Sequence, residues 1–205
     1  TNFFLGLSPA KTVLDKVMKI DHHRQFPAYS GTKFETWFHR HAEAEQQNYK
    51  HFVGYFHGCY VNYNYPKLGQ DFVKIMNACG YGVHLLEKEK CCGVALIANG
   101  LSGQAKRQGE NNMQAMRRSL SEGNEAVLTT SSTCTFTMRD EYPDLLKVDN
   151  RGVRDSLMLA TRFLCQKIDE GKIKLVFRKD YHKKVAYHTA CHIERMGWTL
   201  YSTQL

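Results

Sequence analysis

No apolar run in this 205-residue chain approaches the roughly 18–20 residues that a membrane-spanning helix needs. The first residues, Thr1-Asn2-Phe3-Phe4-Leu5, lack the basic flank and long apolar stretch of an export signal. No Lys/Arg tract is dense enough to mark a nucleic-acid patch, and aromatic residues do not interleave with basic ones, so no nucleic-acid partner is expected. Gly100-Leu101-Ser102-Gly103 is too short for a dinucleotide fingerprint. Close Cys-x-x-Cys pairs, the usual zinc knuckles, are missing too. The chain starts without Met and is expected to be a piece of a longer protein.

The hydrophobic fraction of 42% and aromatic fraction of 12% support a real core and argue against disorder. The net charge of +8 suits nucleic acid, anionic lipid or an acidic protein partner. Seven cysteines is an odd number. Without an export signal, a reducing cytoplasm is expected, where cysteines more often bind metals than form disulfides. Cys79 and Cys165 fall in helix-like stretches and read as small core residues.

The pair Cys91-Cys92-Gly93 is the most informative feature. Cys59 follows the apolar run Phe52-Val53-Gly54-Tyr55-Phe56, and Cys134 follows Ala126-Val127-Leu128 at a short distance. Both lie where a strand should end. Thirty-one residues separate Cys59 from Cys91 and forty-one separate Cys92 from Cys134, enough in each case for a helix and a strand. Four thiols converging at one edge of a sheet would assemble a metal or iron–sulfur site.

Residues 1–50 read as a helical arm and linker. Thr12 to Ile20 has helical spacing, with Ser8 expected as N-cap and Pro9 at the first helical position. A second amphipathic stretch carries Phe34, Trp37 and Phe38. These helices either lie on a membrane surface or pack on the domain. From residue 51 a β-α-β rhythm begins. Strands are expected at His51–Phe56, Gly82–Leu86, Ala126–Thr129 and Lys184–His188, and helices at Leu68–Ala78, Leu101–Leu120 and Ser156–Ile168. Such alternation predicts an α/β fold: a parallel, Rossmann-like sheet of about four strands with flanking helices, preceded by the helical arm. Ligands gather beyond the carboxyl ends of such strands, where Cys59, Cys134 and Cys191 fall.

Gly58 before Cys59 suits a close backbone approach to a bulky group, or simply a strand-to-helix turn. Lys88 and Lys90 favour thiolate forms of the neighbouring cysteines. A thiol nucleophile pairing Cys59 or Cys191 with His57 or His192 fits less well, because neighbours in sequence are not thereby a catalytic pair.

With these residues assembled, the chain resembles the cysteine-rich CCG domain family, which includes heterodisulfide reductase B subunits and subunits of lactate-oxidising complexes. Within it, the C subunits of bacterial anaerobic glycerol-3-phosphate dehydrogenases are the most similar group. The matching segments are Phe56 to Asn64, Glu89 to Val94, Thr130 to Phe136, Asp140 to Pro143 and Tyr187 to His192. The resemblance implies a non-catalytic electron-transfer subunit at the cytoplasmic face of the inner membrane, peripherally attached. It would carry a [4Fe–4S]-type cluster on Cys59, Cys91, Cys92 and Cys134, and pass electrons from flavin-containing dehydrogenase subunits, which oxidise glycerol 3-phosphate, to menaquinone. Residues 51–183 would be the first CCG domain and 184–205 the truncated start of a second repeat, with Cys191 as its orphaned ligand.

Two departures follow. The family's upstream ferredoxin-like cysteine runs and second Cys-Cys-Gly are missing from these residues. The closing Cys-x-x-Cys would begin at position 131, where this chain has Ser131. The site is then a conventional four-Cys [4Fe–4S] centre, a centre with the Ser131 oxygen as occasional ligand, or a metal-free relic. The corresponding alternatives for the whole chain are a metal-free assembly or membrane-anchoring domain and a zinc-binding structural domain.

Overall fold

The computed structural model describes residues 7–25, 27–176, 180 and 183–205. Phe3, Phe4 and Leu5, counted above with the arm, lie outside the described residues.

Helix α1 is Ser8–Met18, starting one residue earlier than the expected first helical position, Pro9. Leu7 occupies the N-cap and Ser8 lies inside the helix, where its carbonyl accepts from the Thr12 hydroxyl at 3.0 Å. None of the residues of α1 is buried. Helix α2, Phe34–His41, behaves differently: Phe34 and Phe38 are fully buried among Tyr55, Val61 and Phe72. A short α3, Glu43–Gln46, follows. Gln46 caps the sheet edge by accepting the Val83 N–H at 2.9 Å.

Strand β1, His51–Phe56, leads into α4, Gly58–Tyr63, and α5, Pro66–Ala78. Pro66 suits the first turn of α5, and Phe72, Val73 and Met76 give it one buried face. Gly69 lets α5 approach α2, because a Cβ there would come within 2.6 Å of the Phe34 ring. Strand β2, Tyr81–Leu85, precedes the Cys-Cys-Gly loop and α6, Val94–Ala98. Helix α7, Ser102–Ser121, returns to β3, Val127–Thr129. Then come α8, Ser132–Phe136, and a π-helical segment, Thr137–Leu146, which contains Pro143. Strand β4 is Leu157–Leu159, and α9, Ala160–Asp169, starts directly from it. Two short helices, α10, Cys191–Arg195, and α11, Thr199–Gln204, close the described chain.

The four strands form one sheet in the order β2-β1-β3-β4, every pair parallel. Gly54 pairs with both His84 and Val127, and Val127 pairs with Leu157. The alternation of strand side chains splits the core. Val53, Tyr55, Val83 and Leu128 face α2, α5 and α9, whereas Phe56, Val127 and Leu157 face α7 and the π-helical segment. The fold is therefore α/β, a parallel sheet between helical layers.

One strand differs from expectation. The fourth strand is Leu157–Leu159, within the stretch expected to be helical, and residues 184–188 have no regular structure. Val185 and Tyr187 are exposed there, so no neighbouring strand satisfies the alternation of Lys184 to His188. Leu157, Met158 and Leu159 are all buried next to β3, which is what makes them a strand.

The chain leaves β1 for β2 on one side and, after α7, for β3 on the other. The carboxyl ends of β1 and β3, where Phe56 pairs with Thr129, are thus a topological switch point.

Candidate metal centre

Cys59 is the second residue of α4, just past the end of β1. Gly58 before it has φ 72°, a left-handed conformation that glycine adopts without strain. Cys134 lies in α8, five residues past the end of β3. An added Cβ on Gly58 would sit 3.7 Å from the Cys134 sulfur, so the loops after β1 and β3 touch. Cys91 and Cys92 come from the loop after β2, turned by Gly93 at φ 85°.

The four thiols form a chain. The Sγ atoms of Cys91 and Cys59 are 3.8 Å apart and share a hydrogen bond. Cys91 and Cys92 also shift each other's proton affinity, as do Cys92 and Cys134, so these thiols are near neighbours. All seven cysteines are free thiols. Interactions with Cys59 and Cys92 hold Cys91 far below the usual thiol range, and the interaction with Cys92 lowers Cys134, whereas the same interactions and burial push Cys59 and Cys92 up. Exposure is graded: Cys92 is buried, Cys91 and Cys134 are half-buried, and Cys59 is exposed.

Although the Cys59 and Cys91 sulfurs touch, no three of the four lie within 4.8 Å of one another. A single tetrahedral zinc with bonds of about 2.3 Å needs all its sulfurs roughly 3.8 Å apart. As placed, the four sulfurs do not surround one ion, and four thiolates are the usual complement of an iron–sulfur cluster.

The Cys-Cys-Gly loop is held from α7. Asn112, fully buried, accepts the Lys90 N–H at 2.9 Å and donates to the carbonyls of Lys90 at 3.0 Å and Cys91 at 3.3 Å. The Tyr142 hydroxyl donates to the Cys92 carbonyl at 2.9 Å. Ser131 is the N-cap of α8, and its Oγ accepts the Cys134 N–H at 3.3 Å. His57 is buried, its Nδ1 3.1 Å from the Gly58 carbonyl, and burial lowers its proton affinity.

Cys191, expected at a strand end, instead opens α10 and is exposed. It is not among those four thiols. Its helix nevertheless packs on α8: the Nδ1 of His192 is 3.1 Å from the Thr133 hydroxyl, and the His192 ring stacks on Phe136 at 4.9 Å. Cys79 and Cys165 pack into the core or against it, as expected, and Cys165 donates to the Tyr201 carbonyl at 3.1 Å. Sequence reasoning missed Asn112 and Tyr142, whose link to the loop exists only in three dimensions. It also missed an exposed group, Asp21, His22 and His23, with ligand atoms within 4.8 Å of one another. There the imidazoles already pair with carboxylates, His22 with Asp15 and His23 with Asp21.

The family described as CCG, cysteine-rich domain, matches residues 53–139, from β1 through Cys134. The chain is 50% identical over its full length to the C subunit of the anaerobic glycerol-3-phosphate dehydrogenase of Escherichia coli strain K12, of which it covers 51%. It is 30% identical over 147 residues, 70% of this chain and 34% of the relative, to the D subunit of the dihydromethanophenazine:CoB–CoM heterodisulfide reductase of Methanosarcina barkeri. It is 28% identical over 153 residues, 75% of this chain and 28% of the relative, to the B subunit of the fumarate reductase (CoM/CoB) of Methanothermobacter marburgensis. The chain spans about half the length of the glycerol-3-phosphate dehydrogenase relative and less of the other two. No solved structure matches it.

Proposed function

We propose that the chain is an electron-transfer module in which Cys59, Cys91, Cys92 and Cys134 hold a [4Fe–4S]-type cluster. The observation that carries this reading is the chain of four free thiols at the sheet switch point, which as placed do not surround one ion. A bound cluster would supply one-electron redox chemistry. The protein's part is to hold it. Asn112 and Tyr142 fix the Cys91-Cys92 loop, Gly58 and Gly93 make the turns, and Phe56, Leu86 and Met138 pack the site's inner side with apolar surface. Cys59 leaves one edge open to solvent, the edge through which electrons would be exchanged.

The similarity to the C subunit of an anaerobic glycerol-3-phosphate dehydrogenase supports a finer reading. The chain is a non-catalytic subunit that receives electrons from flavin-containing partners oxidising glycerol 3-phosphate and delivers them to menaquinone. Helix α1 supports peripheral attachment at the cytoplasmic face of the inner membrane, since Val13 and Val17 are exposed on a helix that carries Lys11 and Lys16. No helix among the described residues is long and apolar enough to cross a membrane. On this reading residues 184–205 open a second repeat whose first ligand is Cys191.

Anaerobic purification tests the proposal. Broad visible absorption with stoichiometric iron and sulfide is expected, and Cys92→Ser, which removes the buried ligand, should lose most of both. Colourless protein with tightly bound zinc would replace the reading by a structural zinc domain. Colourless, metal-free protein that still binds its partner subunits would leave an assembly role alone.

A further inference from the structure

One buried acidic side chain at the thiol site has no part in ligation. Glu89 lies two residues before Cys91, its side chain only 6% exposed. One carboxylate oxygen accepts the Gly58 N–H at 2.8 Å and the other accepts the His57 N–H at 3.2 Å. The Nδ1 of His57 is 3.4 Å from the carboxylate. Among the described residues no lysine or arginine pairs with Glu89. Burial raises its proton affinity, while the two backbone N–H bonds lower it. What it supplies is geometry.

That geometry is specific. The N–H groups at the start of a helix have no partner within the helix, and those of His57 and Gly58 stand where α4 begins. Two consecutive donors held by the two oxygens of one carboxylate fix rotation as well as distance. Gly58 itself, at φ 72°, has no intrinsic preference that would hold the turn, and the next residue is Cys59. Asn112 and Tyr142 hold the Cys91-Cys92 loop but do not touch the 57–59 turn. Among the described residues, the side-chain links between that turn and the loop are the bonds of Glu89 and the Cys59–Cys91 sulfur contact.

Resting on the cluster reading above, we propose that Glu89 is the positioning residue of the thiol site, clamping the His57-Gly58 turn so that Cys59 stands in register with Cys91 and Cys92. A cluster ligand displaced by an ångström is lost or binds in several geometries, so the clamp decides whether the exposed corner is held.

The test compares Glu89→Gln and Glu89→Asp in the full chain. Glutamine has the same shape but one acceptor oxygen, and leaves one N–H unpartnered. In metal-free protein the His57 and Gly58 amide protons should exchange with solvent at least tenfold faster in Glu89→Gln, and Cys59 should be alkylated by iodoacetamide several-fold faster. After anaerobic reconstitution, Glu89→Gln should hold less than half the wild-type iron, with broadened electron paramagnetic resonance lines. Glu89→Asp keeps both acceptors on a shorter arm and should recover part of the iron and of the amide protection. Unchanged amide exchange and alkylation would overturn the clamp. Lost amide protection with wild-type iron and wild-type line shape would overturn its role in holding the cluster. Wild-type chain that takes up no iron would sink the cluster reading instead, and exchange and alkylation would still decide whether Glu89 places Cys59. Should Glu89→Gln lose its far-ultraviolet circular dichroism, the same measurements on Glu89→Asp decide.

Discussion

The Tyr142 hydroxyl donates to the backbone carbonyl of Cys92 at 2.9 Å, across fifty residues of sequence. Tyr142 is fully buried, and Asn112 donates to the same phenol oxygen at 3.4 Å. Burial raises the phenol's proton affinity, which favours its protonated, donating form. The bond ties the π-helical segment to the Cys-Cys-Gly loop. Tyr142→Phe keeps the ring and removes the donor, leaving a buried carbonyl short of a partner. A loss of about 1–2 kcal/mol is expected, measured as a lower urea midpoint with an unchanged slope. Wild-type stability together with wild-type iron content would show the bond to be idle.

On the resemblance drawn from the sequence, Ser131 stands where a cysteine is expected, and its hydroxyl accepts the Cys134 N–H at the start of α8. That contact makes it a cap. Ser131→Ala should cost about 1 kcal/mol, as lost N-caps do, and should leave iron per chain unchanged after anaerobic reconstitution. A fall in iron without a fall in stability would instead make the serine oxygen a ligand.

The sheet was largely legible in the sequence because β1 and β2 each carry a buried apolar run followed by a turn. Cys59 and Cys134 fall past strand ends as the spacing predicts. Strand β4 was not legible. Its three residues are too few for periodicity to register, and they pass into α9 without a glycine or proline to mark the change. Lys184 to His188 has the right alternation but finds no strand to pair with, and local pattern cannot reveal a missing neighbour. Phe34 and Phe38 on α2 look like the apolar faces of a surface helix, and only the space left by Gly69 shows that they belong to the core. The Glu89 clamp was hidden for a related reason: the partners of its carboxylate are backbone N–H groups, which no side-chain pattern records.

Glu125 joins the start of β1 to α9. Its carboxylate lies 2.9 Å from His51 Nδ1 and 2.8 Å from Lys167 Nζ. Burial alone would raise its pKa, but the bonds to Lys167 and His51 outweigh it and hold the group below its ordinary value of 4.5. A carboxyl with a depressed folded pKa contributes stability above its unfolded pKa and loses it as pH falls through the folded one. Glu125→Gln should therefore destabilise by roughly 1 kcal/mol at pH 7, the scale of a partly exposed pair. The gap to wild type should narrow as pH falls through the folded pKa, below the ordinary value of 4.5, because the wild-type carboxylate then takes up its proton. Denaturation curves at pH 7, 5 and 3.5 check this. A gap that persists undiminished at pH 3.5 would show that the amide harms packing and that charge is not the cause.

Helix α1 has the strongest mismatch between composition and environment. Val13 and Val17 lie one turn apart at 60% and 74% exposure, beside Met18 at 61%, with Lys11, Lys16 and Lys19 close by. Apolar groups left in water on a helix bearing lysines match the interface of an anionic bilayer, where the valines would enter the acyl boundary and the lysines would meet the headgroups. Because no residue of α1 is buried, Val13→Asp with Val17→Asp should leave the fold intact. Wild-type chain should sediment with vesicles containing anionic lipid, less so as salt rises from 0.05 to about 0.5 M and screens the lysines. The double variant should lose most of that binding at every salt concentration. Equal sedimentation of variant and wild type would remove lipid from the reading. If wild type captured the proposed partner subunits and the variant did not, the α1 face would be assigned to those subunits.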